Sequence, residues 1–454
     1  MRLALSAVTV AGVLFVTPGW GERAAAQTPD DAPWPMVGRD AAHSGTAEGP
    51  APPYRQAWRQ DVGLGGPVAG PVVGPEAVVV VSARGVVAVD PETGETKWSA
   101  PRSEGPAGSP AIAGDVVIHA SGSASGAAVV ARGLEDGRER WRAYLGSPAD
   151  GGVVTDGDVA YVGTREGILF GFDLTSGEPV FRFESRGAVR GTPAVAGGMI
   201  LAGWEGRPPG SATIRAVSVG SGLEERAPEW QVAASPASLP AATISIGGET
   251  AFAAMGDGTI RAVGLESGAE RWQDRLRDLP SDDQVLAAGA GLLVADRFHV
   301  VRLDPATGKE RWAYRLADLR SLGGGRFNTL SRSAPAAVGD AVLVGDAAGL
   351  LSAVDLGTGH RVWRADLGRG AVSPPAADAQ RVYVATLGRE GEVVALEHNP
   401  DGRPLDEVSP TVLFPLRAVF NFVLASVLSA VVLLGVFRFG LRGRRSSRTG
   451  GAET

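Results

Sequence analysis

The sequence predicts an all-β chain folded as an eight-bladed propeller, with an export signal before it and one membrane helix after it. Three observations carry this. A strand–turn–strand phrase ending in an aromatic recurs along the chain, as in "VAVDPETGETKW" (87–98) and "VVRLDPATGKERW" (300–312). The aromatics that end it are Trp98, Trp141, Phe181, Trp230, Trp272, Trp312 and Trp363, spaced 40 to 51 residues apart. Two further short apolar runs precede each phrase, so every repeat holds four strands, the period and strand count of a propeller blade.

The N-terminus reads as a secretory signal over residues 1–26: Arg2, an apolar stretch Leu3–Val16, and small residues at Ala24, Ala25 and Ala26. The apolar stretch is too short for a span of about 20 residues. Residues 27–53, rich in Pro and polar residues, form a lead or linker in which 30–53 acts as a tether. Residues 54–404 are the propeller. In each phrase the apolar residues before the turn are half-buried or buried strand. Asp can bond the turn backbone and Pro presets its φ, as in Asp90-Pro91. The turn Gly takes a left-handed conformation that a β-carbon resists. The aromatic at a fixed place in each repeat is a wedge between neighbouring blades. Upstream pairs such as "SPAIAGDVVIHA" (109–120) and "TPAVAGGMILAGW" (192–204) carry Gly-Asp or Gly-Gly hairpin turns. The eighth phrase, "VVALEHNPDG" (393–402), stops before its Trp. The strand "YRQAWRQDVG" (54–63), with Trp58, is the missing fourth strand, and closing the ring with it removes a free blade edge.

Residues 405–417 form a juxtamembrane linker, with a tether at 403–412. Ala418–Phe437 carries no charge and is long enough for one helical crossing. Arg438, Arg442, Arg444, Arg445 and Arg448 follow it, against Arg417 alone close before it, so the positive-inside rule puts the tail 438–454 in the cytoplasm and the propeller outside.

A net charge of −7 argues against a nucleic-acid partner. The chain has no Cys, which removes disulfides, thiolate metal sites, a Cys nucleophile and an N-terminal lipid-bearing Cys. His43, His119, His299, His360 and His398 fall in different segments without ligand spacing. "DGD" (156–158) sits where a hairpin turn belongs. "SLGGGRF" (321–327) lacks the Lys-Ser/Thr and helix of a phosphate cradle.

The repeated phrase resembles the PQQ-like β-propeller family, whose repeat has the same Asp, turn Gly and terminal Trp. The resemblance covers about 54–404, and "WPMVGRDAAHSG" (34–45) is similar to the lead before many such domains. It implies the fold. For function it implies a quinoprotein dehydrogenase, an envelope-assembly propeller or a sensor ectodomain, and fold does not choose among these. The dehydrogenases of the family carry adjacent cysteines under the cofactor and a Ca²⁺ held by acidic and amide side chains. This chain lacks the Cys, and no acidic and amide cluster matches. No cofactor is therefore expected; pyrroloquinoline quinone and Ca²⁺ belong to the alternative of a divergent dehydrogenase.

Two loops depart from the repeat on the face of the second-to-third-strand turns and inter-blade loops. They are 203–212, with Trp204 and Arg207, and 320–335, with Arg320, Arg326, Phe327, Asn328 and Arg332. Exposed Trp and Arg are typical binding anchors. The expectation is a monomeric extracytoplasmic propeller that holds a protein or other cell-envelope partner on this face without catalysis. A small-ligand or sugar sensor built around Trp204 is a further alternative.

Overall fold

The computed structural model describes residues 34–402, apart from 63–68, 82–84, 102–107, 122–125, 206–211, 224–226, 234–243, 256, 277–279, 289–290, 297, 317–332, 347–348, 369 and 388–390. The described residues form one compact unit. The signal segment and the stretch 403–454, including 418–437, lie outside the described residues. Among the described residues no helix is long and apolar enough to cross a membrane.

Eight antiparallel sheets follow one another along the chain. Blade 1 is typical: Val72–Val73, Val78–Val81, Gly85–Val89 and Thr96–Pro101 pair in sequence order, from the inner strand outward. The inner strands of blades 2 to 7 are Ala111–Ala113, Val154–Asp156, Val189–Ala196, Ile244–Gly247, Pro280–Ala288 and Ala336–Val338. In blade 8 the strands Arg381–Leu387 and Glu392–His398 are completed by Tyr54–Asp61, which runs antiparallel to Glu392–His398 from Tyr54 opposite His398 to Asp61 opposite Glu392. The N-terminal strand thus closes the ring. Arg55 reaches Glu397 and Arg59 reaches Glu392, each at 2.7 Å, so the closing pair is also zipped by charge.

The repeat aromatics dock each blade on the next. Trp98 of blade 1 donates its Nε1–H to Leu134 O of blade 2 at 2.7 Å, and Trp141 of blade 2 donates to Leu174 O of blade 3 at 2.7 Å. Trp230, Trp272 and Trp312 do the same to Leu265, Pro305 and Leu356, at 2.8 to 2.9 Å. Each ring lies over the turn glycine of that next blade. A β-carbon on Gly137 would sit 2.6 Å from the Trp98 ring, and one on Gly308 2.6 Å from the Trp272 ring. Phe181, without an N–H, is buried with its ring edge-on to Tyr161 at 5.9 Å. Trp363, which faces blade 8 where the turn is broken by the closing strand, packs edge-on to Tyr54 at 5.0 Å, and its Nε1 has no partner.

A bulge precedes seven of the eight aromatics. The register slips between Thr96 and Trp98, and equivalently before Trp58, Trp141, Phe181, Trp272, Trp312 and Trp363. A bulge re-aims the side chain that follows it. Here it turns the aromatic toward the next blade and pushes the extra residue outward, which is why Val180 and Val362 are exposed on the outer strands.

Candidate functional site

Inner strands of a propeller line its central channel. In blades 2 to 4 a glycine stands near the start of the inner strand. Gly108 abuts the Gly151 backbone and Gly151 abuts Gly191, with no room for a β-carbon at either. Ser333 links blades 7 and 8: its hydroxyl donates to Ser373 O at 3.1 Å and accepts from the Gly345 amide at 3.2 Å.

The lead enters this channel, and residues 34–53 are not a tether. Trp34 exchanges backbone hydrogen bonds with Val73 of blade 1, at 3.1 and 2.7 Å. Pro35, Ala41, Ala42, Gly45 and Ala47 offer carbonyls to the amides of Ile112, Val195, Ile246, Ala337 and Gly339, at 2.7 to 3.0 Å. These acceptors reach blades 2, 4, 5 and 7, so the segment crosses the ring. Thr46–Ala47 adds a parallel strand to Ala336–Val338. All these contacts fall at the C-terminal ends of the inner strands, beside the first-to-second-strand turns. The lead therefore fills that end of the channel. Its Pro and polar content, which reads as linker, hides backbone pairing that composition does not reveal.

Toward the opposite end a recess remains, with about 360 Å³ of empty space counting its open mouth. Trp34 and Val37 of the lead line it together with Pro71, Ser109, Pro335 and Pro374 of the blades. None of its described lining residues is ionisable. A quinone bearing several carboxylates needs cationic partners and Ca²⁺ needs hard oxygen ligands. The described lining supplies neither, so these residues do not fit that pair. Among the described residues no three His, Asp or Glu side chains gather as a metal site.

Charge at this end is concentrated between blades 3 and 4. Asp150 accepts from Arg165 at 2.8 Å and from Arg190 at 3.0 Å, and Arg190 also grips Glu205, its Nε at 2.8 Å. Burial pulls the Arg190 guanidinium down, and Glu205 and Asp150 more than offset it, leaving it above its ordinary value.

Trp204 is not a surface anchor. It is fully buried, donates to Gly167 O of blade 3 at 3.3 Å, meets Phe183 edge-on at 5.7 Å and carries the Arg215 guanidinium over its ring at 5.2 Å. Its large ring fills the seam between blades 3 and 4 instead of a loop tip. Arg207, Arg320, Arg326, Phe327, Asn328 and Arg332 lie outside the described residues. The end of the 320–335 loop is described, and Ala334 and Pro335 form part of the recess wall.

The sequence matches the family described as outer membrane protein assembly factor BamB over residues 52–132, 125–296 and 296–405. No curated protein matches it. Among solved structures, BamB from Moraxella catarrhalis is 18% identical, covering 76% of this chain and 100% of that one with a TM-score of 0.57. A europium-containing methanol dehydrogenase is 13% identical over 82% of this chain and 99% of that one, with a TM-score of 0.66. The quinohemoprotein alcohol dehydrogenase from Comamonas testosteroni is 14% identical, covering 82% of this chain and 81% of that one, with a TM-score of 0.65. At these identities the structural likeness speaks for the fold alone, and the family match carries the assignment: the chain belongs to the BamB-like family of PQQ-repeat β-propellers.

Proposed function

We propose that this protein is an exported, membrane-anchored propeller that binds a protein partner of the cell envelope and performs no chemistry of its own. The single observation that carries this is the one-ended channel, filled at one end by the chain's own lead and lined at the other by Pro, Gly, Ser and apolar residues. Such a recess can receive the tip of a side chain of another protein, and its described lining offers no acid, base or metal ligand to a substrate. The family match supports this reading, since the matching family is described as an outer membrane protein assembly factor.

In this reading 1–26 directs export, 418–437 crosses the membrane once, and 438–454 stays in the cytoplasm. The partner contacts the face on which the recess opens, whose wall includes Ala334 and Pro335. The burial of Trp204 takes away the aromatic on which a sugar sensor would have relied.

The test is site-specific photocrosslinking in the native host. Probes at Ser109 and Pro335, on the recess side, are expected to give one discrete protein adduct. Probes at Gly114 and Gly248, on the lead side, are expected to give none. Adducts from the lead side alone overturn the assignment of the face. No adduct from any position overturns the binding reading.

A further inference from the structure

Besides its backbone pairing, the lead is held in the channel by a titratable side chain that water cannot reach. His43 is 0% exposed and sits at φ 55°, in the left-handed region. Its Nδ1 is 2.7 Å from Ile244 O, so Nδ1 carries the hydrogen and donates it. Its Nε2 is buried without a partner, which is the arrangement of a neutral ring. The Ser245 hydroxyl donates to His43 O at 2.8 Å, so the same strand of blade 5 grips the residue twice. Within the lead, Asp40 accepts from the Ser44 amide at 2.9 Å and from the Ser44 hydroxyl, and Arg39 stands 3.8 Å from Asp40.

We propose that His43 is a proton-sensitive pin: protonating Nε2 releases residues 34–47 from the inner strands and opens the plugged end of the channel. A proton on Nε2 is a second buried donor and a net charge with no acceptor beside it, which favours the state in which the ring reaches water. The surrounding charges do not cancel this. Asp40 attracts a charged His43, but its oxygens are taken by Ser44 and shared with Arg39. The strand Ile244–Gly247 carries no titratable group. The neighbouring strand Val189–Ala196 carries Arg190, which is bound to Asp150 and Glu205. Burial lowers the pKa of His43, and the Ile244 carbonyl and Asp40 oppose it without reversing the direction. A group depressed in the closed state binds its proton more readily in the open one. The closed state is therefore favoured above the ordinary histidine value and loses ground as pH falls below it. Opening would free the amides of Ile112, Val195, Ile246, Ala337 and Gly339, a set of unpaired donors on four blades.

The experiment is hydrogen–deuterium exchange by mass spectrometry on the full chain from pH 7.5 to pH 4, corrected for the intrinsic pH dependence of exchange. In wild type, peptides covering 34–47 and the five donor amides of the inner strands should lose protection below about pH 6.5, by about tenfold per pH unit at the steepest, the slope of one proton. Outer-blade peptides such as 139–144 should keep theirs. His43→Asn tolerates the same φ, keeps a side-chain N–H for Ile244 and cannot titrate; it should hold protection flat to pH 5. Unchanged protection of the lead in wild type at pH 5 overturns the proposal. So does a loss that begins only near pH 4, in the ordinary carboxylate range, or an equal loss in His43→Asn. The wild-type onset and slope decide the matter even where the variant fails to fold.

Discussion

Trp58 donates its Nε1–H to Pro91 O at 3.0 Å, and its ring lies over Gly94, where a β-carbon would stand 2.7 Å away. Trp58 belongs to the strand that completes blade 8, and Pro91 and Gly94 belong to the turn of blade 1. The last blade is thus docked on the first by the same contact that Trp98, Trp141, Trp230, Trp272 and Trp312 make, while the seams at Phe181 and Trp363 lack the N–H bond.

Gly94 has φ 75° and a ring against it, so Gly94→Ala meets both backbone strain and overlap. It should destabilise the protein by about 2–4 kcal/mol. Gly114 has φ 55° with nothing within 4 Å of a β-carbon, so Gly114→Ala should cost about 1 kcal/mol or less. Urea midpoints of the two variants read this directly. Equal midpoints would mean that the ring contact contributes nothing.

Trp98→Phe leaves Leu134 O without its donor, whereas Trp363→Phe removes an N–H that had no partner. Both lose similar ring area. Trp98→Phe should therefore cost about 1 kcal/mol more than Trp363→Phe, while truncation of either to Ala should cost about 3–5 kcal/mol. Equilibrium unfolding of the four variants settles the order, and a larger loss for Trp363→Phe would contradict it.

The turn carboxylates make stability depend on acid. The Thr93 amide holds Asp90 below its ordinary value, as the Ser176 amide does for Asp173, the Arg311 guanidinium for Asp304 and the Thr358 hydroxyl for Asp355. Each is depressed in the folded state. The stability it contributes is complete above the ordinary carboxylate value and is lost as pH falls through the folded values, below about pH 4. Exposure makes each contribution small. Replacing all four by Asn should flatten the urea midpoint below pH 4 and leave the change near pH 6, where His43 acts, untouched. A profile as steep as that of wild type below pH 4 would place the acid response elsewhere.

The blades were legible in the sequence because the phrase states its own physics. Asp90 caps the turn through the Glu92 and Thr93 amides at 2.9 and 2.8 Å, Gly94 supplies the positive φ, and Trp98 ends the strand. Closure by Tyr54–Asp61 was legible because blade 8 lacked a Trp and a spare Trp stood upstream. The bulge was not, since an extra residue such as Arg140 or Val362 breaks no pattern until the strands are paired. The lead was misread as a tether because it pairs through backbone carbonyls across the ring, and such pairing leaves no periodicity. Trp204 was misread as exposed because a Trp beside a long Gly- and Pro-containing loop has the composition of a binding loop. Only the packing of blade 3 against blade 4 shows its ring to be interior.

The central claim is that this propeller binds and does not catalyse. Its most direct test is a titration of the full-length protein with pyrroloquinoline quinone, with and without Ca²⁺, following Trp fluorescence together with dye-linked oxidation of alcohols and sugars. The account predicts no saturable quenching and no turnover at high micromolar quinone under either condition. Saturable binding accompanied by Ca²⁺-dependent turnover would contradict it.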